Sequence, residues 1–124
     1  AESVGFAIRD VLEVMGEHGL AVGELRVAGT QARATVLNSI KADITGRSLL
    51  VPEVPESELA GCACVGLAAL GLYADPVEAA RACIRFDRRF DPDPAAGGVY
   101  DEMFDLYRQS YRSLKALTPR LDGS

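Results

Sequence analysis

Val4, Ala7, Ile8, Val11, Leu12 and Met15 recur at helical spacing across residues 3–18, and Gly19 closes the pattern. The spacing predicts an amphipathic helix that ends beside His18, whose imidazole meets the negative end of the helix dipole. Residues 24–28, "ELRVA", switch to a strand-like run that stops at Gly29. A second helix is predicted over residues 33–45, with Val36, Leu37, Ile40 and Ile44 inward and Gly46 as its stop. Residues 48–52, "SLLVP", are a second short strand, and the continuous apolar run predicts cover on both faces.

Residues 57–71 are apolar all round and rich in small side chains, among them Ala60, Gly61, Ala63, Cys64 and Gly66. Such a helix is expected at the centre of the fold, with neighbours close on several sides. Asp75, Pro76 and Glu78 then read as an N-cap, a first-turn proline and the acid of a capping pair, starting a short helix that runs to Cys83. The segment "RFDRRFD" mixes Arg85, Arg88 and Arg89 with Asp87 and Asp91, and reads as a solvated, salt-bridged stretch. "FDPDP" at residues 90–94 is a rigid connector into a last helix over residues 95–117. There Tyr100, Met103, Phe104, Tyr107, Tyr111 and Leu114 form a packing stripe. The order of elements is α/β with crossover units. Two strands cannot bury this many helices, so the remaining strands are expected upstream of Ala1 or from a second molecule.

Composition narrows the partners. Thirteen Lys+Arg against eighteen Asp+Glu leave a net charge of −5 over 124 residues, which argues against a nucleic-acid or anionic-membrane binder. The longest uncharged run, residues 59–74, is interrupted by three glycines and is too short for a membrane span. Nothing at the start reads as a secretory leader, and three cysteines are an odd number, so reduced thiols in the cytoplasm are expected. Cys62 and Cys64 point to nearly opposite sides of a helix, which disfavours a shared metal; all three cysteines are expected as buried small hydrophobes.

The junction "VAGTQARA" at residues 27–34 carries no acid or nucleophile. A strand that ends at glycine and enters a helix is either a plain turn or a place where free amides meet an anion, phosphate above all. The stretch "RVAGTQARATVLNSIKADITGRSLLVPE" resembles the ATP-side signature of the FGGY family of carbohydrate kinases, particularly its xylulokinase-like members. The matching positions are Gly29, Gln31, Ala32, Ala42, Asp43 and Gly46, followed by Pro55, Glu56, Gly61 and Ala63. The tail from "RFDRRFDPDP" onward is similar as well, so the likeness runs over residues 3–117. Thr30 stands where the family usually has a second glycine, Leu37 for a tryptophan and Ser39 for a glutamine. A β-branched residue is strained if its position takes positive φ.

The resemblance implies a partial actin-like ATPase, ribonuclease H-like domain: the C-terminal part of the second domain, with few strands covered by helices. Residues 1–124 would be one fragment of the nucleotide-binding domain of a sugar kinase. It implies transfer of the terminal phosphoryl group of Mg-ATP to a sugar hydroxyl. Its nucleotide turn falls on Gly29, Thr30, Gln31, Ala34 and Asn38. The catalytic aspartate, the Mg ligands and the sugar site are expected upstream of Ala1. Asp43, near a helix end beyond the turn, is read as structural, and Asp10, Asp75, Asp91 and Asp93 as surface or capping groups. The alternative is a non-catalytic scaffold that uses exposed strand edges and apolar helix faces to pair with a second copy.

Overall fold

The computed structural model describes residues 2–115. Its elements are α1 (Glu2–Glu17), β1 (Glu24–Arg26), a 3-10 turn (Thr30–Arg33), α2 (Thr35–Thr45), β2 (Ser48–Pro52), α3 (Ser57–Ala69), α4 (Pro76–Cys83), β3 (Phe86–Phe90) and α5 (Gly97–Lys115). The expected last residues of the C-terminal helix, Ala116 and Leu117, lie outside the described residues. The sheet order is β1-β2-β3. β1 and β2 are parallel, with Leu25 opposite Leu49, and α2 makes the crossover between them. β3 is antiparallel to β2, with Leu50 opposite Arg89.

β3 corrects the two-strand expectation. The charges of "RFDRRFD" hid a strand whose pairing partner, β2, lies far back in the sequence. The segment is ion-paired as well: Arg89 bonds Asp91 at 2.7 Å, and Asp91 also accepts from the Ser48 hydroxyl at 2.6 Å. Those hydrogen bonds, from Ser48 first and Arg89 second, hold the Asp91 carboxyl below the usual range. β2 is not covered on both faces as expected. Leu49 and Val51 are buried, whereas Ser48, Leu50 and Pro52 are half-buried, the alternation of a sheet with one well-covered face.

The core forms where α1, α2 and α5 meet. Phe6, Ile44 and Phe104 are buried together, with Ile40, Tyr100, Met103 and Tyr107 packed around them. Phe6 stacks on Tyr107 at 5.6 Å and on Phe104 at 6.2 Å, and meets Tyr100 edge-on at 6.3 Å. Arg9 closes this cluster. Its guanidinium lies 4.5 Å from the centre of the Phe104 ring, donates to the Ile44 carbonyl at 3.3 Å and pairs with Asp101 at 2.6 Å. The α1 stripe is therefore rotated from the expected one: Gly5 and Phe6 are buried, while Val4 and Val11 face outward. On α2 Ile44 is buried but Val36 is 74% exposed. On α5 the stripe packs only as far as Tyr107, and Tyr111 and Leu114 are exposed.

α3 departs most from expectation. It packs against α4, and the pair buries little besides Cys64 and Ala79. Leu59, Val65 and Leu70 are exposed, so the apolar helix is not central within this chain. Cys62 and Cys83 are exposed too, and only Cys64 is a buried thiol. The start of α4 is as the sequence predicts: the Asp75 carboxylate accepts from the Val77 and Glu78 amides at 2.8 Å each, and Glu78 accepts from the Ala74 amide at 2.7 Å. His18 donates through Nδ1 to the Val14 carbonyl at 2.8 Å at the end of α1.

Gly5 lets α1 approach α2. A Cβ there would sit 2.6 Å from Ile44 Cδ1, 3.3 Å from Ile44 Cβ and 3.4 Å from Ile44 Cγ2. Gly5→Ala is expected to destabilise the fold by about 1–3 kcal/mol, and Phe104→Ala by about 3–5 kcal/mol, both measurable as shifts in the urea midpoint.

Candidate functional site

β1 and β2 run parallel, so their carboxyl ends lie at the same edge of the sheet, where open α/β sheets hold ligands. The strand-to-helix junction sits at that edge. The strand is shorter than expected, ending at Arg26, although the Val27 amide still donates to the Leu50 carbonyl at 3.0 Å. Gly29 follows with φ 74° and ψ −165°, a conformation that only glycine adopts readily. Its amide donates to the Pro55 carbonyl at 2.7 Å, which ties the junction to the segment after β2.

The chain does not enter the helix directly. Residues 30–33 form one 3-10 turn, closed by Ala32 N–H to the Gly29 carbonyl at 3.0 Å and Ala34 N–H to the Gln31 carbonyl at 3.1 Å. α2 then begins at Thr35 rather than at Arg33, with its first bond from the Asn38 amide to the Ala34 carbonyl at 3.0 Å. Two helical starts therefore follow each other within six residues. The amides of Thr30 and Gln31, first in the 3-10 turn, have no acceptor among the described residues. Those of Thr35 and Val36 have none either, and no side chain caps α2. Thr30 and Gln31 are exposed. Among the described residues only glycines take positive φ, so Thr30 occupies the second-glycine position without backbone strain.

Beneath the turn lies a polar bracket. Asn38 is fully buried; its Nδ2 donates to the Ala32 carbonyl at 3.0 Å, and its Oδ1 has no partner. Arg88 reaches across from β3 and donates to the same carbonyl at 3.2 Å. Lys41, 3% exposed, donates from Nζ to Gln31 Oε1 at 2.9 Å, and burial lowers its pKa. Arg33 is already neutralised by Glu56 at 2.6 Å.

Of the five residues singled out in the sequence, Gly29, Thr30, Gln31 and Ala34 make the turn itself, and Asn38 supports it from below. Lys41 and Arg88 were missed. Lys41 stands four residues after Leu37 and three before Ile44, so a lysine on the inward stripe of α2 was the available signal. Nothing local to Arg88 reveals its contact, which depends on the pairing of β3. Asp43 accepts from the Asp93 amide at 2.7 Å and Asp93 from the Ala95 amide at 2.9 Å; both hold the loop into α5. Asp10 lies 3.7 Å from Arg108. Among the described residues no cluster of three or more His, Cys, Asp or Glu could hold a metal ion, and no helix is long and apolar enough to cross a membrane.

The mixed α/β unit with its parallel crossover has the fold of actin-like ATPase domains, which solved kinases share. A xylulose kinase from Brucella ovis superimposes with a TM-score of 0.78 at 28% identity, covering 94% of this chain and 24% of its own. A xylulose kinase from Rhodospirillum rubrum gives 0.75 at 27% identity, again covering 94% of this chain and 24% of its own. Residues 1–70 match the model of the FGGY family of carbohydrate kinases, C-terminal domain, and the chain belongs to that family. A glycerol kinase from Dechloromonas aromatica is 35% identical over 91% of this chain and 22% of its own length. An autoinducer-2 kinase from an Enterobacter species is 31% identical over 75% and 18%. The chain thus spans about a quarter or less of the relatives it matches.

Substituting Gly29→Ala puts a Cβ on a backbone that rejects it. The expected cost is about 1–3 kcal/mol, read by thermal or urea unfolding, with faster hydrogen exchange confined to residues 29–34.

Proposed function

We propose that residues 1–124 are the nucleotide-side portion of an ATP-dependent carbohydrate kinase, and that the turn at residues 29–34 holds the phosphates and adjoining adenosine of ATP. The observation that carries this reading is the pair of backbone amides at the exposed residues Thr30 and Gln31, unpartnered among the described residues, beside a glycine whose missing Cβ would meet nothing there within 4 Å. Free N–H groups fit phosphate oxygens, and the open space at Gly29 lets a ligand come close to the backbone. Gly29 contributes that access rather than its amide, which Pro55 occupies. Ala34 adds a small side chain at the foot of α2, and Asn38 holds the turn in shape.

When bound, Mg-ATP supplies the phosphoryl group, and this chain's residues orient it. Phosphoryl transfer depends largely on positioning and charge stabilisation, so a subdomain can serve the reaction without a reacting side chain. Asp43, Asp75, Asp91 and Asp93 are engaged in loop, cap and ion-pair contacts, and we assign the base, the Mg ligands and the sugar contacts to the rest of a cytoplasmic kinase. A second reading draws on the exposed Leu59 and Val65 of α3 and Leu70 at its end: a module that pairs through this surface with another copy. Light scattering separates the two, because pairing requires a dimer whose formation α3 substitutions abolish.

Thr30→Glu tests the nucleotide turn. Thr30 is exposed, so the fold should be unaffected, while a carboxylate at the phosphate position should weaken ADP binding at least about tenfold by calorimetry. Unchanged ADP affinity in that variant would remove the turn from the nucleotide site.

A further inference from the structure

Lys41 has an odd position for a lysine. It is 3% exposed, lies within the stretch that buries Asn38, Ala42 and Ile44, and has no carboxylate within ion-pair distance among the described residues. Burying an ammonium without a counter-ion is unfavourable, and burial already lowers its pKa. A leucine or methionine would fill the same space without that penalty. Among the described residues, the side-chain acceptor that meets the ammonium is Gln31 Oε1, at 2.9 Å.

That contact decides which end of the Gln31 carboxamide is available. An ammonium only donates, so it takes the oxygen and leaves Nε2 as the outer group. Nε2 has no acceptor among the described residues. The open amides of Thr30 and Gln31 belong to the same 3-10 turn. With Oε1 held by Lys41, that turn carries free backbone and carboxamide N–H donors together. Without Lys41 the carboxamide is free to flip and offer its oxygen, which repels an anion.

We propose that Lys41 is a positioning residue for the nucleotide turn: by holding Gln31 Oε1 from below, it makes the Gln31 carboxamide a phosphate donor. The inference rests on the nucleotide reading above and adds to it a residue that touches no ligand. Arg88 and Asn38 hold the backbone of the turn through the Ala32 carbonyl; Lys41 holds its side chain.

The test is a double-mutant cycle in the intact protein with Lys41→Met, Gln31→Ala and both, titrated with ADP and with adenosine. Lys41→Met should lose on the order of tenfold in ADP affinity, the size of one charge-assisted hydrogen bond, with adenosine affinity unchanged. Gln31→Ala should lose a similar factor, and the double variant no more than either. The melting temperature of Lys41→Met should equal or exceed that of the parent. Because Gln31 is exposed, its variant reports the loss even if Lys41→Met fails to fold. Full ADP affinity in Lys41→Met, equal losses for ADP and adenosine, or multiplying losses in the cycle would overturn the role of Lys41 and leave the nucleotide site standing. A parent protein that binds no ADP would overturn both.

Discussion

One carbonyl holds the candidate site together. Ala32 is fully buried in the middle of the 3-10 turn, and its oxygen accepts from Asn38 of α2 and from Arg88 of β3. A turn of this kind has few internal hydrogen bonds, and its backbone groups otherwise look to water. Two donors from two elements convert it into a fixed corner. The Gly29 amide on Pro55 and the Arg33–Glu56 pair anchor the other side to the segment after β2. The turn is thus tied to α2, to β3 and to the entry of α3, and its open amides keep their direction with no ligand present. Such preorganisation is what a positioning site needs.

The aromatic core serves the same corner at a distance. α2 carries Asn38 and Lys41 toward the turn and Ile44 toward Phe6 and Phe104. Its rotation is set by the close approach of Gly5 to Ile44, and by Arg9, which grips the Ile44 carbonyl while lying on the Phe104 ring. A helix free to roll by one position would move Asn38 off the Ala32 carbonyl. Packing at one end of α2 therefore fixes hydrogen-bond geometry at the other.

Much of this was legible in the sequence. The helices at both ends, the β1–α2–β2 crossover, the Asp75 cap and the glycine at residue 29 all announce themselves through local chemistry. What was hidden depends on partners far away. β3 reads as a charged segment because its strand character comes from pairing with β2, and its edge position tolerates Arg and Asp. The 3-10 turn was merged into the following helix, since a single short turn leaves no periodicity to detect. Lys41 stands on the inward stripe of α2, but a lysine is expected to reach water, and that expectation outweighs the spacing until the fold shows it buried. The burial of α3 is overestimated for a different reason: its composition specifies an apolar setting, and among the described residues α4 is its main packing partner.

That last mismatch bears on how the domain is built. A helix with small residues on every side gains nothing from an exposed position, and Leu59, Val65 and Leu70 are each more than half exposed. Solvent is the wrong partner for that surface, whereas a neighbouring layer of a larger α/β domain is the right one. The glycines of α3 point the same way: among the described residues no other element lies within 4 Å of a Cβ at Gly61 or Gly66, so their smallness leaves room for a covering element. The family relation and the unmet packing of α3 are independent observations, one from comparison and one from surface chemistry. Both agree with the reading in which α3 is covered by protein rather than by water.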